Sequence, residues 1–111
     1  MTEKQIYKQA EILVKDMLAT DVYANYKTAL DELKKDQDLY DRVLAFRLRN
    51  FEIQENAPED RLFEELENLE REKEEMIADH PCVEKFLSAE LTLCRMIQNV
   101  SEIIGEGIHL E

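Results

Sequence analysis

Only two glycines and two prolines interrupt 111 residues, and nothing else in the sequence constrains the fold as tightly. Reverse turns draw heavily on those two residue types. Strands favour Val, Ile and Thr, which are sparse here beside Leu, Glu, Lys, Gln and Ala. The chain therefore has few places to turn and a composition suited to helices, so an all-α fold of about five helices is expected. One bundle-like domain over residues 1–111 is the matching expectation for this length.

Periodicity and capping residues place the helices. Thr2 and Gln5 stand at capping-box spacing ahead of a stripe of Ile6, Ala10, Leu13, Val14, Met17 and Leu18, which predicts a helix over 3–19. Thr20 or Asp21 can cap a second over 21–35, where Tyr23, Tyr26, Leu30 and Leu33 recur every three or four residues. Asp36 and Asp38 are candidate caps for a third over 38–54. That segment carries two adjacent stripes, Leu39, Val43, Phe46 and Ile53 beside Tyr40, Leu44, Leu48 and Phe51. So broad a face is expected to touch more than one neighbour.

The segment from Glu55 to Asp60 combines Pro58 with acidic and cap-type residues and reads as a turn. Beyond it, over 59–79, Leu62, Leu66, Leu69, Lys73 and Met76 step by four and three. That seam is narrow, as in a coiled coil, and asks for one close partner. Helix three folded back as an antiparallel hairpin supplies it. His80-Pro81 ends this helix, since a residue before proline is pushed out of the helical region. A fifth helix is predicted over 81–104. Val83, Phe86, Leu87, Leu93, Cys94, Ile97, Val100 and Ile104 are its expected buried face, and Gly105 its stop. The terminal Leu110-Glu111 is given no role.

Charge excludes several functions. With 26 acids against 14 bases the formal charge is −12, which disfavours direct contact with nucleic acid or an anionic membrane surface. No uncharged run approaches the ~20 apolar residues of a membrane span, and Met1 to Gln5 offers no apolar signal core, so the chain reads as cytosolic. The charge is uneven. Residues 55–79 hold eleven acids and three bases, and account for −8 of the −12. Either this is the solvated side of a narrow-seamed helix, or it recruits a basic partner through carboxylates such as Glu65, Glu72 and Glu75.

Candidate chemistry is thin. Cys82 and Cys94 lie twelve residues apart on one predicted helix, so ~18 Å along its axis, too far for a disulfide or for a close thiol pair on a metal. Cys94, among Leu91, Leu93 and Ile97, is expected in the core. Cys82, in the first turn of the fifth helix, is the one candidate for a ligating or redox role. Neither His80 nor His109 belongs to a di-iron motif, although Glu106 and His109 have Glu-x-x-His spacing without a second copy. No phosphate loop or nucleophile motif is present in the sequence. Neither an enzyme nor a resident cofactor is expected.

Arg47 and Glu90 are charges on apolar faces. Either they pair between helices three and five, or both reach the rim of the core by their aliphatic stems. Tyr23 and Tyr26 are either core residues with surface hydroxyls or interface anchors.

The fifth segment also carries a likeness. His80-Pro81, Val83, Phe86-Leu87, Ser88-Ala89-Glu90, Leu93, Ile97 and Ile104 resemble the C-terminal signature of the YlbF/YmcA family of small helical bacterial regulators. Upstream, Tyr23, Tyr26, Ala29, Leu33, Asp36 and Phe46-Arg47 look like that family's second and third helices. The resemblance implies an all-α subunit with a long antiparallel hairpin, oligomeric assembly and no enzymatic activity. It further implies an adaptor role in competence, sporulation, biofilm development and messenger RNA turnover. Members that bind an iron–sulfur cluster are thought to use cysteines near the C-terminus, whereas this chain has none after Cys94.

The expected function is that of a non-enzymatic regulator that binds another protein and itself, since long helices in a short chain leave apolar surface for a second copy. The alternative is a redox or metal sensor that gathers Cys82 from several subunits around an iron–sulfur or other centre.

Overall fold

The computed structural model describes residues 1–109. Leu110 and Glu111 lie outside the described residues. Five helices follow one another: α1 (Glu3–Leu18), α2 (Asp21–Leu33), α3 (Gln37–Asn56), α4 (Glu59–Asp79) and α5 (Pro81–Ile108). Among the described residues there is no strand, and the fold is all-α.

Each start has a local cause. The Thr2 hydroxyl accepts from the Gln5 N–H at 3.3 Å while the Gln5 side chain accepts from the Thr2 N–H at 2.8 Å, a complete capping box for α1. Thr20 closes one helix and opens the next. Its hydroxyl donates to the Met17 carbonyl at 2.7 Å and accepts from the Tyr23 N–H at 3.2 Å. The Asp36 carboxylate accepts from the Leu39 N–H at 3.1 Å to cap α3. Pro58 precedes α4 with its φ held at −57°, and its carbonyl accepts from the Arg61 and Leu62 N–H groups. His80 ends α4 in a non-helical conformation, and Pro81 opens α5.

The chain divides into two compact units. The unit of Ala29–Leu87 contains α3, α4, the end of α2 and the first turns of α5, and it holds every buried side chain described. α2 contributes Ala29 and Leu33, and α3 contributes Leu39, Val43 and Phe46. Leu69 and Met76 come from α4, and Val83 and Phe86 from α5. Burying each large apolar side chain fully gains about 1.5–3 kcal/mol, so these few residues supply most of the unit's drive to fold. α3 and α4, joined by Ala57-Pro58 alone, pack on each other as the expected hairpin. Of the predicted α4 seam, Leu69 and Met76 are buried, while Leu62, Leu66 and Lys73 are half-buried.

The unit of Met1–Thr28 and the chain from Ser88 onward is built differently. α1 has no buried residue, and in α5 burial stops at Phe86. Two sequence expectations are corrected here. Leu93 and Val100 are only half-buried, and Cys94, Ile97 and Ile104 are exposed, because periodicity selects an apolar face without guaranteeing a neighbour to cover it. Gly105 is not a stop either. α5 runs through Gly105 and Gly107, neither with positive φ, and ends where His109 takes the left-handed conformation at φ 58°.

Candidate partner-binding surfaces

α1 is apolar along one side and charged on the other, with the charges balanced: Glu3, Glu11 and Asp16 against Lys4, Lys8 and Lys15. Its Leu13, Val14 and Met17, together with Leu93, Ile97 and Val100 of α5, line a groove of about 460 Å³. Tyr23 closes one side of it. The Tyr23 and Tyr26 rings stand 6.2 Å apart, tilted by 39°, and both residues are half-buried. The two tyrosines pack on each other, and Tyr23 also lines the groove.

The groove's rim stays open to water. Val14 is 52% exposed and Ile97 48%, which is unusual for the packed face of a folded helix.

A second surface lies on the hairpin. Glu65 and Glu72 are half-buried and Glu75 exposed. At about 100° per residue the three share one flank of α4, beside the seam. Glu72 forms an ion pair with Arg49 of α3, so one of the three carboxylates is already engaged within the hairpin. The remaining acids of α4 include Glu70, which pairs with Lys73 at 3.2 Å. Exposed pairs of this kind contribute at most about 1 kcal/mol. The flank therefore keeps a negative field that salt can screen.

The other singled-out residues fall as follows. Arg47 of α3 lays its guanidinium over the ring of Phe86 at 5.8 Å from the centroid, a cation–π contact between α3 and α5. Glu90 is half-buried, one turn further along α5. Cys82 is half-buried, and Cys94, expected inside, is exposed. His80 caps the end of α4, and the His109 backbone N–H donates to the Glu106 carbonyl at 3.2 Å. Among the described residues no group of His, Cys, Asp and Glu side chains is placed to hold a metal ion. No helix among the described residues is long and apolar enough to cross a membrane.

Sequence reasoning passed over one surface. The broad apolar face of α3 was expected to touch more than one neighbour, yet Leu44, Leu48 and Phe51 face solvent. The width of the apolar face was the available signal.

Comparison with known proteins places these features in a lineage. Residues 6–109 match the family described as control of competence regulator ComK, YlbF/YmcA. A UPF0342 protein of Desulfitobacterium hafniense strain Y51 is 30% identical, over 93% of this chain and 84% of its own length. UPF0342 proteins of Caldicellulosiruptor bescii and Caldicellulosiruptor saccharolyticus are 24% and 21% identical, each over 97% of this chain and 92% and 91% of their own lengths. No solved structure matches. With a family match along nearly its whole length, and with the hairpin and long final helix that the motifs at His80-Pro81 and Ala89-Glu90 implied, the chain belongs to the YlbF/YmcA family.

Proposed function

We propose that this chain is a non-enzymatic cytosolic adaptor that associates with itself through α1 and the later part of α5, and regulates by binding a further protein. The family description, control of a competence regulator, supports a regulatory role. One observation carries the reading: α1, the first part of α2 and the far half of α5 form a compact unit without a single buried side chain among its described residues. Two helices that line an apolar groove gain little by staying wet, and burial against a second apolar face returns about 25 cal/mol per Å² covered. A second copy fits that place electrostatically. The balanced charges of α1 let two such faces meet without the repulsion that the acidic hairpin would bring. The α4 flank of Glu65, Glu72 and Glu75 is then left to recruit a basic partner.

Sedimentation at micromolar concentration tests the first part. A dimer or larger species is expected, and a purely monomeric one removes self-association. Affinity capture from the native cell followed by mass spectrometry tests the second. A recurrent partner whose recovery falls when Glu65, Glu72 and Glu75 are changed to Lys is expected. Recovery of the chain alone counts against the adaptor. The rival sensor predicts a visible absorption band and bound iron in protein purified without air, and a colourless metal-free sample leaves the adaptor standing.

A further inference from the structure

We propose that the outer face of α3 binds a cationic amphipathic helix of a partner protein, an inference that rests on the adaptor reading and gives its partner a chemistry. α3 is apolar on two stripes. Leu39, Val43 and Phe46 point into the core, whereas Leu44, Leu48 and Phe51, successive at one-turn spacing, are 40%, 59% and 63% exposed. Single exposed leucines are ordinary on a protein surface. A run of two leucines and a phenylalanine along ~10 Å of one helix is a contiguous patch, the kind that marks an interaction surface.

Three of the four charges of α3 within one turn of the patch are negative. Asp41 lies one turn before Leu44, Glu52 one turn after Leu48, and Glu55 one turn after Phe51. Asp41 accepts a hydrogen bond from the Gln37 side chain at 2.9 Å, which leaves its charge in place. Two of the three arginines of α3 are directed elsewhere. Helical spacing puts Arg42 and Arg49 on the far side, with Arg49 engaged by Glu72, whereas Arg47, its guanidinium over Phe86, stands on the edge opposite Asp41 and Glu52, one turn from both Leu44 and Phe51.

An apolar stripe with carboxylates along one edge selects its occupant. A helix with apolar anchors at i, i+3, i+4 and i+7 would cover Leu44, Leu48 and Phe51, and lysines or arginines along its edges would meet the acids. A second copy laid antiparallel on the same face would instead set Asp41, Glu52 and Glu55 against their own counterparts, a like-charge arrangement that costs free energy, and a parallel one would offer those three acids only Arg47, already engaged over Phe86. The face therefore suits a basic partner better than self-association.

The test uses the full chain and a synthetic Leu/Lys peptide of about five helical turns with its leucines on one face. Fluorescence anisotropy is read against a peptide of the same composition with the helical period scrambled. The patterned peptide is expected to bind and the scrambled one to bind at least tenfold more weakly. Leu48→Ser with Phe51→Ser should weaken binding at least tenfold. Asp41→Asn, Glu52→Gln and Glu55→Gln together should weaken it and flatten its salt dependence. Phe63→Ser, at a 74% exposed aromatic of α4, should leave it unchanged. All of these side chains are exposed, so the variants should keep the parent's helical circular dichroism.

Equal binding of both peptides, or unchanged binding by the α3 variants, overturns the proposal. So does conversion of an oligomer to monomer by Leu48→Ser with Phe51→Ser, which would make this face a contact between copies. Binding that follows Glu65, Glu72 and Glu75 and ignores α3 also removes this site, yet leaves the adaptor reading intact. Failure of cellular capture removes the adaptor reading without altering the peptide result.

Discussion

Phe86 is 2% exposed and carries the Arg47 guanidinium over its ring, so one residue joins the core to a surface charge. Phe86→Ala should destabilise the chain by about 3–5 kcal/mol, through lost burial and the cavity left behind. Arg47→Met should cost about 0.5–1 kcal/mol through the cation–π contact, and that cost should shrink when Phe86 is already Ala. Urea unfolding of the four proteins in this cycle checks it, and simple additivity would mean the ring and the guanidinium are not coupled. Phe86, Val83, Val43 and Leu33 were legible from spacing, because each lies on an apolar stripe in the unit that has neighbours to bury it. Cys94 was not. It sits on an equally apolar stretch of α5, but its exposure depends on what packs against that stretch, which a single helix's pattern does not contain. Among the candidate site residues, Glu72 falls within the predicted α4, whereas its pairing with Arg49 depends on the register of two helices, which no single segment's pattern contains.

At the level of the elements, caps and turns were readable because their chemistry is local. Thr2 with Gln5, Thr20, Asp36 and the Ala57-Pro58 connection each act within four residues of themselves. The end of α5 was misread for the complementary reason. Glycine stops a helix when it supplies the left-handed residue after the last turn, and here His109 does that while Gly105 and Gly107 remain helical. They then carry only glycine's entropic cost. A Cβ at Gly105 meets nothing within 4 Å, so Gly105→Ala should stabilise α5 by roughly 0.5–1 kcal/mol. Thermal melts followed at the helical circular dichroism band would show the gain. A loss would mean that another chain comes close to this stretch of α5 in solution. α3 carries the companion lesson: the breadth of its apolar face was legible, but not that one of its two stripes would be left uncovered.

For the molecule as a whole, charge and burial divide along the same line. The unit of Ala29–Leu87 holds every buried side chain among the described residues and eighteen acids against nine bases, while the remainder of the chain holds eight acids against five bases. A unit with a core resists local opening up to the global stability, whereas one without a core opens at little cost unless something covers it. If a second copy provides that cover, protection of α1 becomes a mass-action quantity, growing with concentration as any binding to the folded state does. Hydrogen exchange at two protein concentrations reads this directly. Amides of α3 and α4 should exchange slowly and equally at both, while those of α1 should exchange quickly when dilute and slow severalfold when concentrated. Val14→Glu, which puts a carboxylate into the apolar groove, should abolish the concentration dependence in α1 and leave α3 and α4 unchanged. Protection of α1 that is high at every concentration, and survives Val14→Glu, would show that the single chain holds this unit together unaided, and would remove the physical ground for self-association.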